Sequence, residues 1–205
     1  KLDLNDPVAV NNFIRQMSKP SLWDYVFEYY YNSILSGPKT HIINFISNMA
    51  NMFGAGPERF VAAAVEKGMA PLQGRRAERF FSEASADAIG SLMGLREGVQ
   101  QALYTAKTGI PPSAANKWEF RPRAFKGKLG RVINIPSTAL EASDAMNYSM
   151  NFRGALNASI IRQAKREGLK GQALVERIAE LKMNPTKELM KEADEMPSDS
   201  VEAKL

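Results

Sequence analysis

The amino-acid sequence predicts an all-α protein, a multi-helix and mostly antiparallel module with long helices and one long basic-aromatic loop. Three observations lead to it. Ile42, Ile46, Met49 and Phe53 are spaced 4, 3 and 4, which places them on one face of a helix. Phe81, Ser85, Ala88, Leu92, Leu95, Val99, Ala102 and Ala106 step by 4 and 3 in alternation, a heptad seam. Between such runs stand helix breakers, of which Ser36-Gly37-Pro38 is the sharpest. Gly37 is free to take the left-handed conformation that ends a helix. Pro38 cannot continue that helix but suits the first turn of the next.

Taken in order, Asn5-Asp6-Pro7 starts a short helix through Phe13 and Ile14 that ends near Lys19-Pro20. Ser21 caps the next helix, with Asp24 in its first turn. Trp23, Phe27, Tyr30 and Ile34 form one apolar stripe on it, and Leu22, Val26 and Tyr29 a neighbouring one. Two stripes imply contact with more than one partner helix, with Asp24 and Glu28 on the polar side. On a helix Tyr29, Tyr30 and Tyr31 point in three directions, which favours packing over a base-stacking platform.

The helix after Pro38 carries His41, Asn44, Asn48 and Asn51 opposite its apolar face. A polar but nearly uncharged stripe is read either as a face against protein that needs hydrogen-bond partners or as an ordinary solvated face. Gly54-Ala55-Gly56-Pro57 is expected to end this helix, with a short one from Pro57 and a connector from Gly68 to Gly74.

The longest helix is expected from about Arg75 to Thr108. Beside its heptad seam runs a stripe of small residues at every fourth place: Ala86, Gly90, Gly94, Gly98, Ala102 and Ala106. Each Gly in a water-exposed helix costs roughly 1 kcal/mol relative to Ala, and close approach by another backbone is the usual compensation.

The segment from Gly109 to Gly130 holds three Pro and reads as a loop. In it, and just beyond at Arg131, basic residues Lys117, Arg121, Arg123, Lys126, Lys128 and Arg131 alternate with Trp118, Phe120 and Phe125. Three readings stand: a structural or partner-binding loop pinned to the helices by its aromatics, a contact for single-stranded nucleic acid or another anion, or a disordered segment. Lys39, at a helix start, is a further candidate anion contact. The second major helix runs from Pro136 to Gly168. Tyr148, Phe152, Leu156 and Ile160 lie on its apolar half, and Asp144, Asn147, Asn151, Arg162 and Lys165 on the other. Arg153 falls on the apolar half and wants a carboxylate, with Glu28 and Asp24 as candidates. Gly171 to Lys182 is a short helix, Asn184-Pro185 breaks it, and Thr186 caps a last one. By these signals residues 1–110 are N-terminal helical hairpins plus the striped helix, 111–134 the loop, 135–191 the C-terminal helices, and 192–205 a frayed tail or linker.

Composition narrows the chemistry. The 205 residues include no Cys and one His, so disulfides, thiolate sites and multi-histidine metal sites are excluded. No catalytic constellation or cofactor motif is found. Gly37-Pro38-Lys39-Thr40 lacks the upstream Gly and the strand of a phosphate loop, no Gly-x-Ser-x-Gly elbow exists, and Glu141 and Asp144 read as surface or cap residues. The net charge of +5 favours anionic partners without fixing one. Ten Met suit adaptable cores or interfaces. No run of about 18 apolar residues is present to span a bilayer. The opening Lys-Leu-Asp-Leu-Asn-Asp, without Met, suggests a piece of a longer polypeptide.

Two segments carry a resemblance. Ser33 to Asn48, SILSGPKTHIINFISN, and Arg131 to Leu169, with Pro136, Asp144, Tyr148 and Arg153 in corresponding places, resemble recurrent pieces of very large phage polyvalent or internal virion proteins. The two cover roughly a third of the chain. The resemblance implies a non-enzymatic structural module located in the virion, inside the capsid or near the portal, and then in the host envelope after ejection. Its implied partners are portal, core or tail proteins, other parts of its own polypeptide and copies of itself, with DNA and transient membrane contact as further expectations. The Ala86 to Ala102 stripe and the Asn44, Asn48, Asn51 stripe would be packing faces. The other reading is a nucleic-acid-binding module of a giant phage protein of polymerase or antirestriction type.

Overall fold

The computed structural model describes residues 9–10, 13, 17, 19–74, 76, 79–110 and 123–195. The helix expected before Lys19, most of the loop at 111–122 with Lys117 and Arg121, and the tail after residue 195 lie outside them. The described residues form an all-α fold without strands, with helices α1 (Leu22–Leu35), α2 (Pro38–Leu72), α3 (Phe81–Thr108), α4 (Gly127–Ile133), α5 (Ile135–Arg166), α6 (Gly171–Met183) and α7 (Lys187–Glu195).

Local chemistry accounts for most boundaries. Ser21 and Asp24 form a reciprocal capping box at the start of α1: the Asp24 N–H donates to the Ser21 hydroxyl, and the Ser21 N–H to the Asp24 carboxylate. The Thr186 hydroxyl accepts the Leu189 N–H at the start of α7. Gly168 (φ 77°) closes α5 in the left-handed conformation that glycine takes without strain.

Four expectations are corrected. Gly37 does not take a positive φ; α1 ends on Ser36, whose N–H donates to the Ser33 carbonyl, and α2 begins at Pro38. Pro57 does not end a helix, because its fixed φ is itself helical and only one ladder hydrogen bond is lost, so α2 runs unbroken to Leu72. Residues 127–133, expected in the loop, are helical. Residues 192–195, expected to fray, belong to α7, where Ala193 is buried and Glu192 and Asp194 are bonded to α5.

The contacts group into two units, one of residues 1–47 and 99–146, the other of 48–98 and 147–205. In the first, a polar network replaces the usual apolar contact. The inner face of α1 presents Glu28, Asn32 and Leu35. The Glu28 carboxylate accepts N–H groups from Ala124 and Phe125 and from the Asn134 amide. The Asn32 amide donates to Asn134 (3.0 Å), and its oxygen accepts the Ser137 N–H (3.2 Å). This network fixes residues 124–137 on α1. Asn32, Asn134 and Ser137 are all buried, so each bond satisfies a group that would be costly to leave unpaired.

The second unit is built on α5. Ala155, Leu156, Ile160 and Ala164 meet Leu181 of α6 and Leu189 and Ala193 of α7 in its apolar core. Against another side of α5 lies α3, at a separation only glycine permits. A Cβ added to Gly90 would fall 2.5 Å from the Arg153 carbonyl oxygen and 2.9 Å from the Gly154 Cα; one added to Gly94 would fall 2.9 Å from the Ser149 carbonyl oxygen. Gly154 faces Asp87 and Ser91 in return. The helix that approaches this part of the small-residue stripe is therefore the chain's own α5.

Candidate functional site

The two units present three arrangements of chemical interest: a buried charge cluster, a basic cleft and outward apolar faces.

The charge cluster lies in the second unit. Glu83, 2% exposed, sits in the first turn of α3, where its carboxylate accepts the Phe80 N–H (2.7 Å) and the helix N-terminus favours its charge. The same carboxylate takes Arg162 Nε and an Nη donor at 2.9 and 2.7 Å. The other Nη of Arg162 reaches Glu192 at 2.6 Å. Arg162, expected on the polar half of its helix, is instead buried and ties α3, α5 and α7 together. Arg153, expected to be the buried arginine, is half exposed and pairs in fork geometry with Glu97, not with Glu28 or Asp24. Its position opposite Gly90 and Gly94 explains this, since the helix there approaches too closely to admit a guanidinium, which turns outward along α3. The Arg153 hydrogen bonds hold Glu97 below the ordinary carboxylate range. Asp87 moves the other way: burial raises its pKa, against the attraction of Arg59 at 3.4 Å. Tyr148 donates to Asp194 at 2.5 Å, and its own burial, more than that bond, raises its pKa. These groups are paired across helices, as structural clamps are, and among the described residues no group of three or more acidic or His side chains could hold a metal ion.

The cleft lies in the first unit and measures about 920 Å3. Its wall is set by Arg123, whose guanidinium donates to Thr138 (3.1 Å) and Glu141 (3.0 Å) and covers Gly109, which has a positive φ of 67°. Gly130 packs against the Phe125 carbonyl so closely that a side chain there would collide with backbone. Phe125, edge-on to Tyr25 at 5.1 Å, and Ile135 supply apolar lining. Lys107, Lys126 and Arg131 reach the cleft from α3, from the segment before α4 and from α4. Of the residues singled out as anion contacts, the structure thus places Arg123 and Lys126 at the cleft; Lys128 is exposed outside its lining and Lys39 lies on α2. Arg131, the last cation of the same basic-aromatic run, is at the cleft as well. Lys107 had no signal, because only the fold brings the end of α3 to it.

The third arrangement inverts the usual rule. On α1 both aromatic-aliphatic stripes face outward, with Trp23 68%, Phe27 63% and Tyr30 62% exposed, while Glu28 and Asn32 turn inward. On α3 the heptad seam is the exposed side, Leu92 at 67%, and Glu83, Asp87, Ser91 and Thr105 are buried. On α2, Ile42 and Ile46 are exposed and Asn44 and Asn48 are half buried; the Asn51 side chain lies outside what is described. Along the stripe of α3, Gly90, Gly94 and Gly98 are buried, and Ala86 and Ala102 half buried. Among the described residues no helix is long and apolar enough to cross a membrane.

Compared with known proteins, the chain matches no family model, and neither a curated protein nor a solved structure is found to be similar to it.

Proposed function

We propose that this chain is an assembly module of a large phage internal virion protein, which packs with portal, core or tail proteins, with other parts of its own polypeptide or with copies of itself, and helps deliver DNA across the host envelope. The phage part of this reading rests on the two resembling segments. The assembly part rests on one observation, the outward apolar faces of α1 and α3. Contiguous apolar surface of this kind marks an interaction site rather than a solvated exterior. The polar interior supports the same reading: hydrogen-bonded networks already hold α1 and α3 in place, leaving their apolar faces available for something else.

The reading is tested in the particle. Cross-linking and mass spectrometry of intact virions that carry this protein should link α1 and the exposed seam of α3 to other virion polypeptides or to a second copy. Finding the protein absent from purified particles would end the virion reading. A strict monomer at high concentration, with no cross-link through either face, would end the assembly reading.

A second reading, a nucleic-acid-binding module, is favoured by the basic cleft. Steep loss of DNA affinity with salt is its signature.

A further inference from the structure

The cleft of the first unit has a composition that the assembly reading does not use. Its fixed charges are already matched. Arg123 is committed to Thr138 and Glu141, and Glu28, behind Phe125, has its carboxylate filled by the Ala124 and Phe125 N–H groups and the Asn134 amide. The cations left over are Lys107, Lys126 and Arg131. All three are exposed, and none has a carboxylate partner among the described residues. No acidic side chain lines the cleft among those residues. Three like charges gathered at one concavity repel one another, and a bound anion would relieve that. Its lining also has an apolar part, Phe125, Ile135, Ala106 and Ala139, with the Phe125 ring edge-on to Tyr25. The volume lies near the top of the range of about 300–1,000 Å3 typical of ligand pockets.

We propose that this cleft binds single-stranded nucleic acid, with Lys107, Lys126 and Arg131 on successive phosphates and a base resting on the apolar part of the lining beside Phe125. Both halves of that ligand are needed to account for the site. A bare phosphate would use the cations and leave the apolar part unused, and an apolar molecule would do the reverse. A duplex presents its phosphates outside and its bases stacked within, so it would reach the rim alone. A flexible single strand offers charge and ring face to the same concave wall. The inference rests on the second of the two functional readings, and it adds the cleft and the cations that would hold the strand.

The test uses the whole 205-residue chain and fluorescence anisotropy with a labelled thymidine 20-mer. Lys107→Gln, Lys126→Gln and Arg131→Gln combined should weaken binding at least tenfold and flatten the logarithmic salt slope by about 2, the share of three phosphates on a single strand. Removing three exposed lysines elsewhere, Lys170→Gln, Lys182→Gln and Lys187→Gln, should cost less than twofold. ATP at millimolar concentration should compete, and a 20-base-pair duplex should bind more weakly than the strand. Should the triple variant misfold, photo-cross-linking of an iodouracil strand to the wild-type chain decides instead: adducts within residues 106–139 support the site, and adducts confined elsewhere overturn it. Equal losses from the two triple variants would overturn the site while leaving a diffuse nucleic-acid module standing. No binding to any nucleic acid would remove that module as well. Cleft-dependent binding to phosphatidylglycerol vesicles without binding to DNA would assign the cations to a lipid surface and overturn the proposal.

Discussion

Gly90 and Gly68 are both helical glycines, and they should respond to the same substitution with opposite signs. An added methyl at Gly90 collides with the backbone of α5, so Gly90→Ala should destabilise by about 1–3 kcal/mol even after the gain in helix propensity. At Gly68 an added Cβ meets nothing within 4 Å, so Gly68→Ala should stabilise by about 0.5–1 kcal/mol. Urea melts of the two variants against wild type check both signs. Arg162 offers a sharper case. Its removal leaves Glu83 charged and buried, so Arg162→Ala should cost about 3–5 kcal/mol, whereas breaking the half-exposed pair through Arg153→Ala should cost about 1 kcal/mol or less. The acids set two opposite pH dependences. Asp87 has its folded pKa raised by burial, so the folded chain holds that proton more readily than the unfolded one, and ionised Asp87 opposes folding as pH rises through the folded value. The stability of Asp87→Asn relative to wild type should therefore climb as pH rises from the ordinary value of 3.8 through the raised folded value. Glu97 has its folded pKa lowered by Arg153, so it contributes stability above the unfolded value of 4.5 that is lost as pH falls through the folded value. Glu97→Gln should be destabilising at neutral pH, by less than about 1 kcal/mol for so exposed a pair, and indistinguishable from wild type in strong acid.

At the scale of the element, α1 and α3 share one device: a largely polar inner face and an outer face whose apolar side chains are mostly exposed, although Phe81 at the start of the α3 seam meets Phe60 of α2 at 4.9 Å. Replacing Trp23, Phe27 and Tyr30 by Glu should leave the far-ultraviolet circular dichroism unchanged, because none of the three is buried and the Glu28–Asn32–Asn134 network lies on the other side. It should abolish self-association or partner capture, read by sedimentation velocity. Loss of helicity instead would show that these side chains pack within the chain. The same device explains which parts of the fold were legible beforehand. Periodicity found α1, the first part of α2, α3, α5 and α6, and the caps at Ser21 and Thr186 fixed the starts of α1 and α7, since those signals are local in sequence. Periodicity could not say which face turns inward. The heptad seam of α3 reads as core by its pattern alone, and it is outward because Gly90, Gly94 and Asp87, on another side, can approach α5 more closely than any Leu could. Arg162 was misjudged for a similar reason: its partner Glu83 lies 79 residues away, and only the fold shows that a carboxylate waits there. The cleft was half legible. Arg123, Lys126 and Arg131 stood out in the basic-aromatic run, whereas Lys107 enters from a helix that nothing in the local sequence ties to that segment.

For the whole molecule, the two functional readings differ in the force they call on, and salt separates them. The outer faces of α1 and α3 are apolar, so association through them draws on the hydrophobic effect, which added salt does not weaken and sulfate strengthens. The net charge of +5 and the cations of the cleft act through Coulomb attraction and counterion release, which salt erodes. A tenfold rise in sodium chloride should therefore reduce affinity for single-stranded DNA by about 100-fold if three phosphates are engaged, and leave the sedimentation coefficient of the self-associated chain unchanged or higher. Substituting α1 should remove the second response and spare the first; substituting Lys107, Lys126 and Arg131 should do the opposite. If one set of substitutions removed both responses together, the apolar faces and the cleft would be parts of a single surface, and the division of labour drawn between them would fall.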